Sequence, residues 1–376
     1  MDKILTILGA RPQFIKAATV SRALKSRNDL EEVIVHTGQH FDANMSEVFF
    51  DQLDIPPPNF NLGISGIGHG AMTGRMLEQI EALILAERPK WVLVYGDTNS
   101  TLAGALAAAK LDVPVAHVEA GLRSHNPQMP EEVNRILTDR ISSLLLCPSD
   151  VATQNLSHEG FPFQATQRPR SRTNVRIDSG AAEEQRIEQV GDVMLDAVLH
   201  YRNRAEISSD LVGFNVQRRD YLLCTLHRQE NTDDRQRLSA ILSALRQIAM
   251  EIPIVLPLHP RTRSKLNQIG ASDELKGLHI LPPVPYLEML ALQMHSSMIL
   301  TDSGGMQKEA YFHGVPCITL RDETEWVETV DSGWNQLVGA DEAGIVRAWR
   351  ETTVPNDQLK NLYGDGKASE KLASLL

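Results

Sequence analysis

Residues 298–320 read MILTDSGGMQKEAYFHGVPCITL, and the rest of the chain is organised around them. The order predicts a buried strand over 298–301, a tight turn over 302–305, a short helix that opens near Met306, and a second strand after Gly314. A strand, a turn and a helix in this order are typical of an anion site, because a helix N-terminus presents free N–H groups and a positive dipole. A plain Gly-Gly turn between a core strand and a helix remains the alternative.

Four residues of this stretch are candidates for binding a nucleotide. The glycines let the backbone of Ser303, Gly304 and Gly305 approach a phosphate closely. Glu309 follows roughly 9 Å further along the helix axis, at about 1.5 Å per residue. A carboxylate at that distance from a diphosphate could accept hydrogen bonds from a ribose.

The composition limits the fold and the class of ligand. A chain of 376 residues favours two domains, and 42% hydrophobic with 23% charged residues is typical of a globular protein. The formal net charge of −11 argues against a nucleic-acid partner, because no basic excess is available to neutralise phosphates. A small anionic ligand needs only a few local cations and is still allowed.

Cysteines and targeting signals add further exclusions. Cys147, Cys224 and Cys317 lie far apart in apolar runs, so we predict buried hydrophobic residues rather than metal ligands or redox pairs. The chain enters a strand directly, without the basic and apolar regions of a signal peptide, and contains no apolar span of 18 residues. We expect a soluble cytoplasmic protein that binds no membrane.

Short apolar runs alternate with helical stretches along both halves of the chain. This pattern predicts an α/β protein with two Rossmann-like domains, each a parallel sheet with helices on both faces, that face each other across a cleft. The predicted first domain covers 1–165, a polar linker or loop covers 166–188, the second domain covers 189–360, and a C-terminal helix over 366–376 packs back on the first domain. The predicted strands lie at 4–8, 33–37, 91–95, 114–118, 144–147, 221–226, 253–258, 278–281, 298–301 and 315–320.

Polar residues of the first domain follow the predicted strands, where ligands of open α/β sheets bind. Arg11 and Lys16 lie at the start of a helix and could both point at one anion, although solvated helix-end cations are the alternative. Asp97 follows the third strand, where it could also cap the next helix. Glu119 follows the fourth strand at an unusual turn. Glu131 begins a helix, where the dipole favours an acidic residue in any case.

The second domain has two histidines at strand ends. His227 and His259 could face an anionic ligand, although a lone histidine more often has a structural role. The chain lacks Gly-x-Gly-x-x-Gly, which argues against a nicotinamide or flavin dinucleotide, and no spacing of His, Asp or Glu indicates a metal site. Carboxylates on one domain and an anion site on the other are the predicted arrangement.

Nine motifs follow one another along nearly the whole chain: GARPQFIK (9–16), TGQH (37–40), GDTNST (96–101), HVEAGLR (117–123), PEEVNR (130–135), VGD (190–192), HRQEN (227–231), HPRT (259–262) and DSGGMQKEA (302–310). In this joint order they resemble the non-hydrolysing UDP-N-acetylglucosamine 2-epimerase family. The resemblance implies two Rossmann-like domains in the arrangement of GT-B glycosyltransferases, usually a homodimer, and neither a metal nor a redox cofactor.

The resemblance also implies a reaction. The family interconverts UDP-GlcNAc and UDP-ManNAc reversibly, for the synthesis of bacterial surface polysaccharide precursors. Because C2 of the sugar has no adjacent carbonyl, its proton is not acidic enough for simple removal and return. The family instead eliminates UDP to give a 2-acetamidoglucal and then adds UDP back with the opposite configuration at C2.

Motif matching assigns roles to individual residues. Two carboxylates would remove and return the C2 proton on opposite faces, and which carboxylate serves which face stays open. The catalytic candidates are Asp97, Glu119, Glu131, His227 and Lys16. The candidates for binding UDP are Arg11, Ser303, Gly304, Gly305, Glu309, His259 and Arg321.

The chain departs from the commoner family pattern in three places. Gly70 and Ala71 stand where many members have Arg-Gln at a second, regulatory UDP-GlcNAc site, which puts such regulation in doubt. Residues 324–327 read TEWV instead of TERP, and the segment 161–188 is longer than usual.

Three runs are closer to the branch of the family that acts on UDP-2,3-diacetamido-2,3-dideoxyglucuronate, an O-antigen precursor. They are HFDANMSEVFF (40–50), GRML (74–77) and TEWVE (324–328). The choice between the two substrates therefore stays open. A GT-B glycosyltransferase, a hydrolysing epimerase that releases UDP and free ManNAc, and a nucleotide-sugar sensor are the alternative functions.

Overall fold

A computed structural model describes residues 1–39, 53–162, 184–206, 219–268, 272–355 and 359–376. The chain divides into two compact units: unit 1 comprises Met1–Ala197 and Asn361–Leu376, and unit 2 comprises Val198–Lys360. Each unit contains one parallel sheet with helices between successive strands, which confirms the predicted class of two Rossmann-like α/β domains. The run 40–50 lies outside the described residues.

Within the described residues, unit 1 is built on a seven-stranded sheet whose pairings are all parallel. Its strands are β1 (Asp2–Leu8), β2 (Leu30–His36), β3 (Phe60–Asn61), β4 (Trp91–Tyr95), β5 (Val115–Val118), β6 (Leu144–Cys147) and β7 (Arg186–Gln189). The order across the sheet is β3-β2-β1-β4-β5-β6-β7, so the direction of winding reverses between β1 and β4. Open α/β sheets bind ligands beyond the strand ends at such a reversal.

The helices of unit 1 follow the strands in the predicted alternation. β4, β5 and β6 are buried along their whole length, as expected for central strands covered by helices on both faces. The helices are α1 (Arg11–Lys25), α2 (His69–Glu87), α3 (Asn99–Lys110), α4 (Pro130–Ile141) and α5 (Asp150–His158), and α6 (Val193–Tyr201) runs from unit 1 into unit 2.

Unit 2 is built in the same way on a sheet of six parallel strands among its described residues. The strands are β8 (Leu222–Thr225), β9 (Ile254–Pro257), β10 (His279–Leu281), β11 (Met298–Thr301), β12 (Cys317–Thr319) and β13 (Asn335–Leu337), in the order β10-β9-β8-β11-β12-β13. The α-helices are α7 (Gln229–Thr232), α8 (Arg235–Ala249), α9 (Pro260–Gln268), α10 (Tyr286–His295), α11 (Gly304–His313), α12 (Val327–Asp331) and α13 (Glu342–Glu351).

The stretch 298–320 forms β11, α11 and β12, at the point where the strand order of unit 2 reverses between β8 and β11. The helix begins at Gly304 and not near Met306, with Ser303 as its N-cap residue. Gly304 and Gly305 are therefore the first two helical residues, and the predicted turn is shorter than expected. The helix ends at Gly314, whose φ of 61° is left-handed.

The domain boundaries need a correction. The sequence prediction placed 166–188 in a linker and began the second domain at 189, whereas unit 2 begins at Val198. The reason is that β7 pairs in parallel with β6 and extends the sheet of unit 1. The predicted linker residues 166–183 lie outside the described residues.

The C-terminal helix α14 (Ala368–Leu375) lies in unit 1. Asp196 fixes its start, because its carboxylate accepts hydrogen bonds from the backbone N–H groups of Ala368 (3.1 Å) and Ser369 (2.7 Å). Near its end, Arg27 Nη1 donates to the carbonyl of Ala373 at 2.7 Å. Among the described helices, none is long and apolar enough to cross a membrane.

Candidate active site

Two of the predicted catalytic residues of unit 1 form one buried ion pair. Lys16 Nζ, on α1, contacts Glu119 Oε2 at the end of β5, and their side chains are only 9% and 7% exposed. The unusual turn expected after this strand is located at Glu119 itself, which adopts a left-handed φ of 71°. Lys16 is thus paired with a carboxylate, and its expected contact, together with Arg11, to an anion stays a prediction.

Gly96 packs closely against this ion pair. Its φ is 61°, and a Cβ at this position would lie 3.2 Å from Glu119 Oε2 and 3.5 Å from Lys16 Nζ. Because Asp97 is the next residue, the structure brings Lys16, Asp97 and Glu119 together where β4 and β5 end. This is the edge of the sheet at which the sequence predicted a site.

Asp97 is held by an arginine that the sequence analysis missed. Arg135, on α4, is buried and donates to Asp97 Oδ2 from Nη2 and, at 3.1 Å, from Nε. Its Nη1 donates to Glu132 Oε2 at 2.8 Å. Thr98, and not Asp97, caps α3, because its side chain accepts a hydrogen bond from the N–H of Thr101. The Asp97 carboxylate is therefore available for chemistry and not for capping.

The two glutamates at the start of α4 differ in environment. Glu132 is buried and accepts hydrogen bonds from the N–H groups of Ser124 (3.0 Å) and His125 (2.9 Å), so it fixes the preceding loop. Glu131 is half-buried. Asn134, one turn later, donates to the Asp97 carbonyl at 2.9 Å. Because residues three apart share a helix face, Glu131 lies on the side of α4 that faces the Asp97 loop.

Gln13 joins the start of α1 to the end of β4. Its Oε1 accepts from the N–H groups of Gly9 (2.8 Å) and Ala10 (3.0 Å), and its Nε2 donates to the carbonyl of Tyr95 at 2.8 Å. This buried amide fixes the turn from which Arg11, the first residue of α1, projects half-exposed. The sequence analysis did not single out Gln13, although it lies within the motif GARPQFIK.

In unit 2, Asp302 organises the turn after β8. Its fully buried carboxylate accepts hydrogen bonds from the backbone N–H groups of His227 (3.0 Å) and Arg228 (2.9 Å), and from Asn231 Nδ2 (3.3 Å). The His227 ring also contacts Asp302 through Nδ1 at 3.2 Å and lies 6.2 Å from the His259 ring, measured between centroids. The structure thus brings the two predicted histidines together.

The two glycines at the start of α11 differ in the space around them. A Cβ at Gly304 would lie 2.9 Å from Glu325 Oε1 and 3.2 Å from Trp326 Nε1. A Cβ at Gly305 would have no described residue within 4 Å. The open side of the helix N-terminus, where its N–H groups can meet an anion, is therefore the side of Gly305.

Arg321 and Glu309 already have partners inside unit 2. Arg321 is fully buried, donates from Nη1 to Glu325 Oε2 at 2.9 Å, and lies with Nε 3.4 Å from Glu230 Oε1. Burial raises the pKa of Glu230 above its ordinary value, against the opposing charge of Arg321. Glu309 is buried and accepts a hydrogen bond from Gln293 Nε2 at 2.7 Å. Gln293 was not anticipated from the sequence.

No group of three or more His, Cys, Asp or Glu in the described part of the chain is placed to hold a metal ion. The three cysteines are free and buried. Burial raises the pKa of the Cys147 and Cys317 thiols to about 12, so neither is a thiolate near neutral pH.

Comparison with known proteins gives a consistent result. The family model "UDP-N-acetylglucosamine 2-epimerase" matches residues 22–376. UDP-2,3-diacetamido-2,3-dideoxy-D-glucuronate 2-epimerase of Pseudomonas aeruginosa is 53% identical over 100% of this chain and 99% of its own length. UDP-N-acetylglucosamine 2-epimerase of Methanocaldococcus jannaschii is 42% identical, over 100% of this chain and 98% of its own length.

Solved structures agree over the whole length. The crystal structure of the Methanocaldococcus jannaschii enzyme in complex with UDP-GlcNAc and UDP has a TM-score of 0.87 at 42% identity, covering 99% of both chains. The UDP-GlcNAc 2-epimerase of Neisseria meningitidis bound to UDP-GlcNAc has a TM-score of 0.84 at 28% identity, again over 99% of both chains.

Proposed function

The chain belongs to the UDP-N-acetylglucosamine 2-epimerase family and is an isomerase of the epimerase type, and from that premise we propose that it inverts C2 of a UDP-linked 2-acetamido sugar. In the proposed reaction, UDP leaves C1 as the C2 proton is removed, which gives a 2-acetamidoglucal. UDP then adds back to C1, and a proton is delivered to the opposite face of C2. Atoms and charges balance without any further reactant.

The observation that carries the proposal is the buried Lys16–Glu119 ion pair beside Asp97. Proton removal and return on opposite faces need two acid–base groups with different access. Glu119 is enclosed and paired with Lys16, whereas the Asp97 side chain is 29% exposed and held by Arg135. The two carboxylates therefore differ in their access to solvent. Glu131, on the face of α4 directed at the Asp97 loop, is the third candidate.

Unit 2 supplies the groups that the leaving diphosphate needs. Backbone N–H groups at the start of α11 and the His227 ring, fixed by Asp302, can stabilise negative charge that develops on the departing UDP. We propose that Ser303, Gly304, Gly305 and His259 hold the diphosphate, and Arg11 of unit 1 stays a predicted UDP-binding residue. Glu309, on the same helix, is proposed to bind the ribose. Arg321 is proposed to act through Glu325.

We propose UDP-2,3-diacetamido-2,3-dideoxy-D-glucuronate as the substrate, with UDP-GlcNAc as the second candidate. The Pseudomonas aeruginosa relative that acts on the diacetamido sugar is 53% identical, against 42% for the Methanocaldococcus jannaschii UDP-GlcNAc enzyme. The run TEWVE at 324–328 supports the same choice, and it includes the Glu325 and Trp326 that flank Gly304.

The test is turnover of each nucleotide sugar in D₂O, followed by NMR. We expect deuterium at C2 of a product that is still linked to UDP, with kcat/KM at least about tenfold higher for the diacetamido uronate. Free sugar with UDP would identify a hydrolysing enzyme instead, and no exchange with either sugar would contradict the proposal. A preference for UDP-GlcNAc would overturn the choice of substrate alone.

Two variants test the carboxylates. Asp97→Asn and Glu119→Gln should each lower kcat by more than about 10²-fold, the lower end of what a general base contributes. Glu188→Gln, on β7 with a 40% exposed side chain, is the control for loss of one carboxylate charge in unit 1. Near-wild-type kcat in either test variant would remove that residue from the catalytic set.

We further propose a homodimer formed through α4. Val133, Ile136 and Leu137 are 45%, 40% and 46% exposed, and their spacing places them on one face of this helix. Three large apolar side chains in one exposed stripe are typical of a surface that another protein covers. A second copy of the chain fits it, because the family that the sequence resembles usually forms homodimers.

The predicted cytoplasmic location stays a prediction.

A further inference from the structure

His117 is a fully buried histidine in the middle of the unit 1 site. It lies on β5, two positions before Glu119, and the proposed reaction gives it no role. Its Nε2 lies 2.7 Å from the carbonyl oxygen of Gly96, and its Nδ1 lies 2.7 Å from Asp139 Oδ1 on α4. One side chain therefore connects the ends of two strands to a helix.

Asp139 is held as an acceptor by the groups around it. Its Oδ2 accepts hydrogen bonds from Arg123 Nη1 (2.7 Å) and from the backbone N–H of Gly121 (3.2 Å). Burial alone would raise the pKa of Asp139, but the hydrogen bonds and charges of His117 and Arg123 outweigh burial, and the pKa lies below its ordinary value. Asp139 is thus a carboxylate that can only accept.

The two partners of His117 orient its ring. A carbonyl oxygen and an ionised carboxylate both lack a hydrogen to donate, so the ring lies between two acceptors, one at each nitrogen. Asp139 is held in turn by Arg123, which also binds Glu159 through Nε (2.6 Å) and Nη2 (2.9 Å). The His117 ring is therefore fixed at both ends by groups that are themselves held in place.

The contact with Gly96 links the His117 network to the Lys16–Glu119 pair and to Asp97. Gly96 lies beneath the Lys16–Glu119 pair, and its carbonyl belongs to the rigid peptide that leads into Asp97. On the other side, the N–H of Gly96 donates to the carbonyl of Val118 at 3.0 Å, one position before Glu119. Fixing the Gly96 oxygen therefore fixes the relative position of the two carboxylates.

We propose that His117 is a positioning residue: its ring, anchored by Asp139, holds the Gly96 carbonyl and so aligns Asp97 and Glu119 for proton transfer at C2. The role rests on the proposed epimerase function. It concerns the transfer of protons and not the binding of UDP, because no residue proposed or predicted to bind UDP belongs to the network of His117, Asp139, Arg123, Glu159 and Gly96. Loss of the contact should therefore reduce kcat and spare UDP affinity.

Three variants separate the hydrogen bond from the charge. His117→Phe keeps an aromatic ring and removes both donors, whereas His117→Gln retains an amide N–H for the Gly96 carbonyl. In Asp139→Asn, the amide oxygen can face Arg123 and Gly121 while its NH₂ donates to His117 Nδ1. The Nε2–H of His117 can then still donate to the Gly96 carbonyl.

We expect His117→Phe to lower kcat by about 10²-fold, as a displacement of about 1 Å can do, with the Kd for UDP within about twofold of wild type. His117→Gln should recover at least about tenfold of that loss, and Asp139→Asn should stay within about tenfold of wild type. The proposal is overturned if the kcat of His117→Phe lies within about threefold of wild type. It is also overturned if the kcat of His117→Gln is no higher than that of His117→Phe. If Asp139→Asn and His117→Phe lose the same amount of kcat, the charge of Asp139 matters and the positioning of the Gly96 carbonyl does not, which overturns the proposal.

A second measurement needs neither a variant nor turnover. In ¹⁵N-histidine-labelled wild-type protein, Nε2 of His117 should carry a hydrogen, because it lies 2.7 Å from the carbonyl oxygen of Gly96, which can only accept. A His117 ring whose Nε2 carries no hydrogen overturns the contact. Wild-type protein that turns over neither UDP-sugar overturns the proposed function instead, while the NMR result still tests the network.

Discussion

Gly96 restricts substitution in the unit 1 site through both its backbone and its neighbours. Gly96 and Gly63 share the same left-handed backbone, with φ of 61° and 62°, so alanine is strained at both by roughly 1–2 kcal/mol. Only at Gly96 does the added methyl meet functional groups, at 3.2 Å from Glu119 Oε2. A Cβ at Gly63 has no described residue within 4 Å.

We therefore predict that Gly96→Ala and Gly63→Ala lose similar thermal stability but differ in activity. Gly96→Ala should lower kcat by at least about tenfold, because the ion pair must shift, whereas Gly63→Ala should keep the wild-type kcat. Melting temperatures and steady-state kinetics of the purified variants test this. Equal kinetics for the two variants would show that the ion pair above Gly96 does not matter for turnover.

Residue types at strand ends could be predicted from the sequence, but their partners could not. Asp97 and Glu119 follow apolar runs, which is a local signal. Arg135 pairs with Asp97 from a distance of 38 positions, and Lys16 pairs with Glu119 from 103 positions. One sequence carries no local signature of such contacts, so the pairing of Lys16 with Glu119 was not anticipated and Arg135 was missed.

At the scale of elements, the start of α11 shows why local propensity failed. Glycine disfavours helix, so the sequence predicted a turn over Gly304 and Gly305. The structure starts the helix there, because tertiary contacts override propensity: Gly304 fits closely against Glu325 and Trp326. The Trp326 ring is held in turn by the buried Lys308, whose Nζ lies 3.9 Å from the ring centroid.

This packing predicts different effects for the two glycines. Gly304→Ala should lower the melting temperature, because a Cβ would lie 2.9 Å from Glu325 Oε1, and should weaken UDP binding as well. Gly305→Ala should keep the melting temperature, because the space there is open in the described structure. If the diphosphate approaches this backbone, the same methyl should raise the Kd for UDP by about tenfold.

The control for this pair is Gly70→Ala, the second residue of α2, as Gly305 is the second residue of α11. A Cβ at Gly70 also has no described neighbour within 4 Å. Calorimetric titration with UDP and thermal unfolding provide both measurements. Unchanged UDP affinity in Gly305→Ala would remove the open side of α11 as the diphosphate site.

Short edge strands were the elements that the sequence analysis missed. β3 has two residues, and β7 reads RIEQ, which carries no apolar run. The pairing of β7 with β6 specifies it as a strand, and a partner in the sheet is not visible in a local pattern. Central strands such as β4 and β11 lie at the predicted residues, because burial on both faces demands continuous apolar runs.

For the whole molecule, the fold class could be predicted and the boundary between the units could not. Alternating strands and helices in both halves are enough to predict two parallel α/β sheets. The C-terminal helix was predicted to pack back on the first domain, and α14 lies in unit 1. The boundary was misplaced because it depends on β7, whose pairing with β6 leaves no trace in periodicity.

The assembly is the remaining property at this scale, and the exposed stripe on α4 makes it testable. A charge in the centre of an apolar dimer interface would be buried without a partner, which costs several kcal/mol. We predict that Ile136→Asp raises the dimer dissociation constant by at least about 10²-fold, since each 1.4 kcal/mol is tenfold. Sedimentation velocity over a concentration series measures this constant directly.

The matched control is Met250→Asp, at an 81% exposed apolar residue of unit 2 that lies outside the stripe. It adds the same charge to the surface and should leave the dimer intact. A wild-type protein that stays monomeric throughout the series, or an Ile136→Asp variant that dimerises as tightly as wild type, would contradict an interface through α4. Because Ile136 lies one position after Arg135, which holds Asp97, a loss of kcat on dissociation would show that covering this face also steadies the carboxylates.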